Sequence, residues 1–440
     1  MQPSIGLSML FLLTSTGSLT PITVCYSSVC SQRFFTSEVI HCDAFIARLI
    51  HLAGKVYKGE RPKLVTEDVR LHLLRNDFMP TDADSRLLQV EINTISAGFA
   101  GILESLSMVH RSTRAIYYPH LQGEQPEHSA CLKFSDAIAD ALSASNTKWG
   151  RNSQVVLFVV EENEKNVVDQ YALEYRLLQR HGISVLRRTL GQIHHRSELT
   201  AEQHLMVDNI EIGLVYFRSA YDPKQYPTDA EWAARELIER SCAVKCPTLL
   251  TQLAGTKKVQ QLWYVNGGEV LKRFGLSETE IKSLFDVFAV QADPSSDEQC
   301  CTKAVADPEG WVLKPQREGG GHNIYGEELR TTLTTATKDE LSQYVLMERM
   351  RPVPAPALVL DCRATTVAGL AVPALVEEAI SELGIYSYYI PHLNKNEVCG
   401  HLLRTKEKNV REGGVNAGFA VLDTVILIYL QSRNPFTIRK

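Results

Sequence analysis

The run Val312 to Glu328, VLKPQREGGGHNIYGEE, carries the clearest chemistry in the chain. A short strand delivers Lys314 and leads into Gly319, Gly320 and Gly321. Residues without Cβ let the backbone approach a phosphate closely and offer its N–H groups. Lys314 places a point charge on the phosphate oxygens. Glu318, one residue before the glycines, is placed to hold Mg²⁺ against those oxygens. A glycine triplet alone reads as a surface turn; lysine, glutamate and triplet together read as a phosphate loop. It is not a GxxxxGK[ST] loop, and no such run occurs in the sequence.

Four further runs hold candidate ligands. In EINTIS, Glu91 to Ser96, alternation puts Leu88, Val90 and Ile92 on one face and Gln89, Glu91 and Asn93 on the other. Glu91 and Asn93 side by side suit a hard cation such as Mg²⁺; taken alone, they read as the polar face of an edge strand. In EKNVVDQ, Glu164 can pair with a substrate ammonium, while Asn166 and Gln170 can bind a carboxylate. The run sits at a strand-to-helix junction, where α/β sheets bind ligands, though by itself it is an ordinary polar helix start. In YFRSAY, Arg218 is either a bidentate carboxylate ligand or a solvated surface arginine. In HLLRTKEKNVREGGVNAG, Arg404 and Lys406 alternate onto one face, and Gly413, Gly414, Ala417 and Gly418 follow. That pattern reads as a hinged lid over an anion or as a basic strand with a plain loop.

These residues need elements to hold them. Apolar positions at helical spacing predict a helix over Asp43 to Tyr57, and period-two alternation predicts a strand over Leu87 to Ile95. Gln154 to Val160 reads as a buried strand, Asn166 to His181 as a helix stopped by Gly182, and Ile183 to Arg187 as a second strand. This β-α-β unit predicts a parallel α/β layer. Ile212 to Phe217 extends it as one strand, and a helix over Asp229 to Ser241 starts with a Thr228/Glu231 capping box. Gly310 to Lys314, Tyr344 to Met350 and Ala357 to Cys362 read as strands, and Asp293 to Gln299 as a surface loop.

The 440 residues are 44% hydrophobic and 22% charged, with net charge −5. That is room for two or three domains of ordinary globular composition. The acidic balance argues against a nucleic-acid binder and leaves an anionic substrate to a local cationic pocket. Ten scattered cysteines, with only Cys242/Cys246 and Cys300/Cys301 close together, read as reduced cytosolic thiols rather than a zinc site. The apolar run Ile5 to Leu13 is too short to span a bilayer. No Lys or Arg precedes it and no clean small-x-small site follows, so the expectation is a cytoplasmic protein that binds no membrane.

Taken in order, RNDFM, EINTIS, EKNVVDQ, YFRSAY, QLAGTKKVQQ, LKPQREGGGHNIYGEE, LMERM, SELGIY and HLLRTK…GGV resemble the runs of eukaryotic glutathione synthetases. The resemblance covers Asp43 to Asp423 and implies an α/β ATP-grasp fold with an inserted parallel α/β substrate-binding domain and a lid. On this reading residues 1–38 are unassigned and 39–152 begin the core. Residues 153–255 form the inserted domain, 256–423 complete the core with the Gly-rich loop and lid, and 424–440 are a divergent tail. The resemblance also implies a homodimer.

The same resemblance implies roles by position. Glu91, Asn93 and Glu318 would hold Mg²⁺. Glu91, Lys257, Lys314 and the loop Pro315, Gln316, Arg317, Glu318, Gly319, Gly320, Gly321, His322, Asn323 would contact ATP. So would Tyr325, Met347, Glu348, Arg349, Met350, Glu382, Lys406 and Glu412. Arg75, Ile95, Ser96, Ala97, Gly98, Glu164, Lys165, Asn166 and Gln170 would contact the peptide, as would Arg218, Ser219, Ala220, Tyr221, Arg404, Val415 and Asn416. Gly98 stands where the family usually has Ser, Asn416 in a usually Ala-rich loop, and Glu412 in place of Asp.

The implied reaction joins glycine to γ-glutamylcysteine. The γ-phosphoryl of ATP activates the peptide carboxylate as an acyl phosphate, with Arg75, Lys314 and Arg404 as the catalytic cations. Three alternatives stay open: a ligase using β-alanine or serine, a nucleotide-binding protein without turnover, and a generic kinase or ATPase.

Overall fold

The structure is a computed structural model that describes residues 43–58, 69–81, 86–120, 123–273, 276–317, 321–360, 366–367, 370–371, 373–411, 413–415 and 418–427. The segment 1–38, Glu318, Gly319, Gly320, Glu412, Asn416 and the tail from 428 onward lie outside the described residues.

Asp43 opens α1 (Ala44–Tyr57), its carboxylate accepting from the N–H groups of Phe45 and Ile46, which satisfies donors that a helix start leaves open. β1 (His72–Pro80) and β2 (Leu87–Asn93) pair antiparallel. Two long helices follow, α2 (Ala100–Tyr117) and α3 (Ala130–Trp149). Next comes the parallel layer: β3 (Val155–Val159), α4 (Val167–His181), β4 (Ser184–Arg188), β5 (Leu214–Phe217), α5 (Asp229–Arg240) and β6 (Val244–Cys246). Its strand order is β4-β3-β5-β6. Gly182 ends α4 in the left-handed conformation at φ 66°, which costs glycine no Cβ clash. The Thr228/Glu231 capping box on α5 forms as the sequence predicts.

The chain then runs through α6 (Lys257–Arg273) into a small antiparallel sheet of β7 (Gln291–Ala292), β8 (Trp311–Pro315) and β9 (Tyr344–Glu348), ordered β7-β9-β8. The last strands are β10 (Ala355–Leu360), β11 (Pro373–Ile390), β12 (Lys395–Glu407) and β13 (Val421–Asp423). They join the first two in a six-stranded antiparallel sheet, β13-β12-β11-β1-β2, with β10 pairing the start of β11. One apolar cluster ties the parallel layer to this sheet: Phe134 and Ala137 of α3 pack with Val156, Phe158 and Leu214 on one side and with Leu73, Tyr386 and Leu402 on the other.

Three local expectations are corrected. Gln89 does not share a face with Glu91 and Asn93. The β1/β2 register shifts between the pairs Asp77↔Glu91 and Phe78↔Gln89, so Val90 is an extra residue. A bulge of this kind breaks the period of two. Gln89 turns inward and donates to Asn76 Oδ1 at 2.8 Å, while Glu91 and Asn93 remain beside Asp77 and Arg75. The strand expected over Ile212 to Phe217 is broken at Gly213, where a Cβ would lie 2.2 Å from Leu142 Cδ1 of α3. The stretch Asp293 to Gln299 is only partly loop: Asp297 accepts from Cys300 N at 2.9 Å and starts a helix at Glu298.

Candidate active site

A cleft of ≈ 540 Å³ opens between the large antiparallel sheet, the β7-β9-β8 sheet and the C-terminal ends of the parallel strands. β1 contributes Arg75, and β2 and its extension contribute Glu91, Asn93, Ile95, Ser96 and Gly98. Glu164, Lys165 and Asn166 enter from the end of β3, and Arg218 and Tyr221 from the end of β5. Lys257 starts α6, and Lys314 lies on β8. Arg317, His322, Asn323 and Tyr325 follow along the Gly-rich loop, and Met347, Glu348, Arg349 and Met350 come from β9 and its end. Glu382 and Arg404 come from β11 and β12, and Lys406 and Val415 close the rim.

Charge is concentrated at the inner end. The Arg75 fork donates to both oxygens of Asp77, from Nε at 2.7 Å and from Nη2 at 2.8 Å. Arg404 Nη2 donates to Asp77 Oδ2 at 3.1 Å and also to Glu382 Oε1. Lys257 Nζ lies 3.4 Å from Glu91 Oε2 and donates to the Arg317 carbonyl oxygen at 2.6 Å. Lys314 Nζ reaches across from the small sheet to donate to the Val90 carbonyl oxygen at 3.3 Å. Desolvation alone would push the Glu91 carboxyl up, but Lys257, Lys314, Arg404 and Arg75 together hold it well below the ordinary carboxylate range. Glu382 goes the other way: burial raises it, helped by Asp77 and Glu91 and opposed by Arg404. Burial also lowers Arg75, but the Asp77 carboxylate more than offsets this and keeps its guanidinium charged.

The outer end is organised around Arg218. Its Nη1 pairs with Asp169 Oδ2 at 3.2 Å. Asp169, on α4, also accepts from Phe99 N and Gly101 N, both at 2.8 Å, at the start of α2. One buried carboxylate therefore caps the start of α2 and holds the Arg218 guanidinium in place. Gly98 faces this cation: a Cβ there would lie 3.1 Å from Arg218 Nη2 and 3.4 Å from Asn166 Nδ2. Tyr386 Oη anchors the same turn by donating to the Gly98 carbonyl oxygen at 2.6 Å.

Several predicted ligands stand behind the wall instead of lining it. Gln170 donates to Glu164 Oε2 at 3.2 Å and accepts from Arg187, so it braces Glu164. Gln316 accepts from Lys258 N at 2.9 Å and donates to the Gln343 carbonyl oxygen at 3.1 Å, which ties the loop to α6. Ala220 has φ 76°, and its carbonyl oxygen accepts from Gln252 Nε2 at 2.8 Å. Ala97, Ser219, Pro315 and Gly321 likewise do not line the cleft. Sequence reasoning passed over Asp77, Asp169, Lys408 and Arg411. The first had a legible signal, since Arg75 and Asp77 two apart on a strand share a face.

The residues present also suit a hard divalent cation. Glu91 is kept anionic. Asn93 Nδ2 donates to Asp77 Oδ2 at 2.9 Å, which leaves the amide oxygen on the opposite side of the planar group. Oxygen donors of this kind match Mg²⁺, which takes few protein ligands and completes its shell with phosphates and water. Among the described residues no three His, Cys, Asp or Glu side chains form a metal cluster by themselves.

Comparison with known proteins gives a consistent result. The family described as "Eukaryotic glutathione synthase, ATP binding domain" matches residues 29–427. "Glutathione synthetase, chloroplastic" from Solanum lycopersicum is 38% identical over 402 residues, covering 89% of this chain and 70% of its own length. "Glutathione synthetase" from Macaca fascicularis is 39% identical over 399 residues, covering 88% and 80%. Among solved structures, the apo form of a glutathione synthetase like-effector (GSS30) from Globodera pallida aligns with TM-score 0.66 at 18% identity. That alignment covers 97% of this chain and 86% of that one, a likeness of fold. With the family match spanning nearly the whole chain and the cleft assembled from the same runs, the chain belongs to the eukaryotic glutathione synthases, a family of ATP-dependent ligases.

Proposed function

We propose that this chain ligates glycine to γ-glutamylcysteine at the expense of ATP, using Mg²⁺, through an acyl phosphate. The observation that carries the reading is the gathering of Lys257, Lys314, Glu91, Arg75, Arg404 and Arg218 around one cleft. That cleft has a phosphate-directed end on β8 and a carboxylate-directed end at Gly98 and Arg218.

A carboxylate is a poor electrophile at neutral pH. Phosphoryl transfer from ATP to the peptide carboxylate releases ADP and leaves a reactive acyl phosphate. The glycine amine, having lost its ammonium proton, attacks the carbonyl carbon, and inorganic phosphate departs. The chain's work is positioning and charge stabilisation. Lys257 and Lys314 meet the phosphate oxygens, and Arg75 and Arg404 orient the reacting carboxylate. Arg218 with Asn166 holds a distal carboxylate, and Glu164 receives an ammonium. Glu91 and Asn93, with Glu318 as a third donor, would hold Mg²⁺, which when bound neutralises phosphoryl charge.

The lid is the segment after β12. Lys406 Nζ donates to the Arg411 carbonyl oxygen at 2.9 Å, and the Arg411 guanidinium sits 5.7 Å from the Tyr325 ring centre. Closure there would exclude water from the acyl phosphate. The reading includes a homodimer, supported by the family, and a cytoplasmic location, supported by the undisulfided cysteines among the described residues, such as Cys131, Cys246 and Cys399. Among the described residues no helix is long and apolar enough to cross a membrane.

The test is phosphate and ADP release by purified protein given ATP, Mg²⁺ and γ-glutamylcysteine, with and without glycine. Release that requires both peptide and glycine supports the reading. Release with β-alanine or serine but not glycine would reassign the amine. Release without peptide, or nucleotide binding with no release, would refute the ligase.

A further inference from the structure

Asp77 accepts four hydrogen bonds from three side chains of the catalytic wall. It is fully buried on β1, flanked across the sheet by Glu91 on β2 and Gly384 on β11. Its Oδ1 accepts from Arg75 Nε at 2.7 Å. Its Oδ2 accepts from Arg75 Nη2 at 2.8 Å, Asn93 Nδ2 at 2.9 Å and Arg404 Nη2 at 3.1 Å. Four donors from this wall therefore converge on one carboxylate, one on Oδ1 and three on Oδ2. Gly384 makes the arrangement possible. A Cβ there would lie 2.7 Å from Asp77 Oδ1 and 2.9 Å from Arg75 Cδ, closer than real Cβ contacts come.

We infer that Asp77 is the positioning residue of this site: one carboxylate fixes the guanidinium planes of Arg75 and Arg404 and turns the oxygen of the Asn93 amide toward the cation position. The inference rests on the proposed ligase reading for what the three side chains bind. Two consequences follow from the geometry. The fork of Arg75 is locked edge-on, and Arg404 keeps an Nε without a protein partner, a donor available to a carboxylate or phosphoryl oxygen. The Asn93 amide cannot flip without setting an N–H donor against the cation and its oxygen against Asp77. The phosphate-side lysines contact Glu91, Arg317 and Val90: Lys257 Nζ lies 3.4 Å from Glu91 Oε2, and Lys314 Nζ donates to the Val90 carbonyl oxygen.

The experiment is calorimetric titration of the full chain and two variants, Asp77→Asn and Gly384→Ala. The probes are γ-glutamylcysteine and ADP, the latter with and without Mg²⁺. Asp77→Asn puts an N–H where a guanidinium expects an acceptor. Peptide affinity is expected to fall on the order of ten- to hundred-fold, the scale of a lost hydrogen bond to a charged group. The gain in ADP affinity on adding Mg²⁺ should shrink, and metal-free ADP affinity should not fall below the wild-type value. Gly384→Ala removes no charge and lies outside the cleft lining, yet it should shift the same two quantities in the same direction by crowding Oδ1. It decides the question if Asp77→Asn does not fold. Wild-type titrations in both variants overturn the inference, as does a parallel loss of metal-free ADP binding, which would mark a role in the fold alone. Wild-type protein that bound neither probe would overturn the ligase reading and this inference with it.

Discussion

Replacing Lys314 with Met isolates the charge at the phosphate end. Met keeps the length and apolar stem of the lysine while removing the ammonium group that donates to the Val90 carbonyl oxygen at 3.3 Å. In the inner cluster, four cations (Arg75, Arg404, Lys257, Lys314) face three carboxylates (Asp77, Glu91, Glu382). Taking away one cation leaves that cluster without a positive excess to meet a triphosphate. At about 4 Å and an effective dielectric of about 20, a unit pair is worth roughly 4 kcal/mol. That agrees with the ~10²–10³ rate loss on removing one positioned stabiliser. The assay is steady-state ADP release with saturating γ-glutamylcysteine and glycine, giving kcat and KM for ATP across a pH series. The expected result is a kcat/KM lower by about 10²–10³, with an unchanged circular-dichroism spectrum. Lys314 is also one of the cations that hold the Glu91 carboxyl low against desolvation. Without it the carboxyl rises, so activity should fail at a higher pH on the acid side than in the wild type. A wild-type kcat/KM with an unmoved acid limb would refute the role assigned to this lysine.

The other perturbations divide the site. Arg404→Ala strands Asp77 and Glu382 without one of their partners; beyond lost turnover, it should cost about 3–5 kcal/mol in denaturant unfolding, the scale for breaking a buried pair, and a stability equal to wild type would contradict that packing. Gly98→Leu drives a branched side chain toward Arg218 and Asn166, so calorimetry should show lost γ-glutamylcysteine binding with intact ADP binding; loss of both would place Gly98 elsewhere in the scheme. Burial, reinforced by Arg70, lowers His72 to about 3, and burial with His128 lowers His401 to about 4. Both rings are neutral in the fold and titrate near 6.5 when unfolded, so the unfolded chain binds more protons below that pH. Stability should be unaffected above about pH 6.5 and fall by up to about 1.4 kcal/mol per pH unit for each ring as pH drops toward 4. His72→Gln should flatten that acid slope in denaturant titrations, and an unchanged slope would show that His72 is not its source.

The single sequence showed local patterns well where one face is polar and the other apolar. Gly182 and the Thr228/Glu231 box announced helix ends because capping is settled within a few residues. The β-α-β reading of Gln154 to Arg187 found the parallel layer because a buried strand, a helix and a second strand occur in immediate succession. The long strand β11 was not assigned from periodicity: EEAISELGIYSYYI mixes charges and aromatics on a strand paired on both sides.

The chemistry of the phosphate end was present in residue types and spacing: a lysine on a strand before a glycine triplet, and Glu91 two residues from Asn93. Register, by contrast, is decided between strands. The bulge at Val90 that turns Gln89 inward depends on how β2 pairs with β1, and no pattern within β2 encodes it. Gln170 and Gln316 look like ligands in sequence, and the structure sets both off the cleft lining, bonded to Arg187, Lys258 and Gln343 from other elements. Asp77 gains its place only when β2, β11 and β12 bring Asn93, Gly384 and Arg404 to it. Composition and spacing thus determined which groups could act. Tertiary structure decided which of them face the cleft, because a side chain's partners across the sheet lie up to hundreds of residues away along the chain.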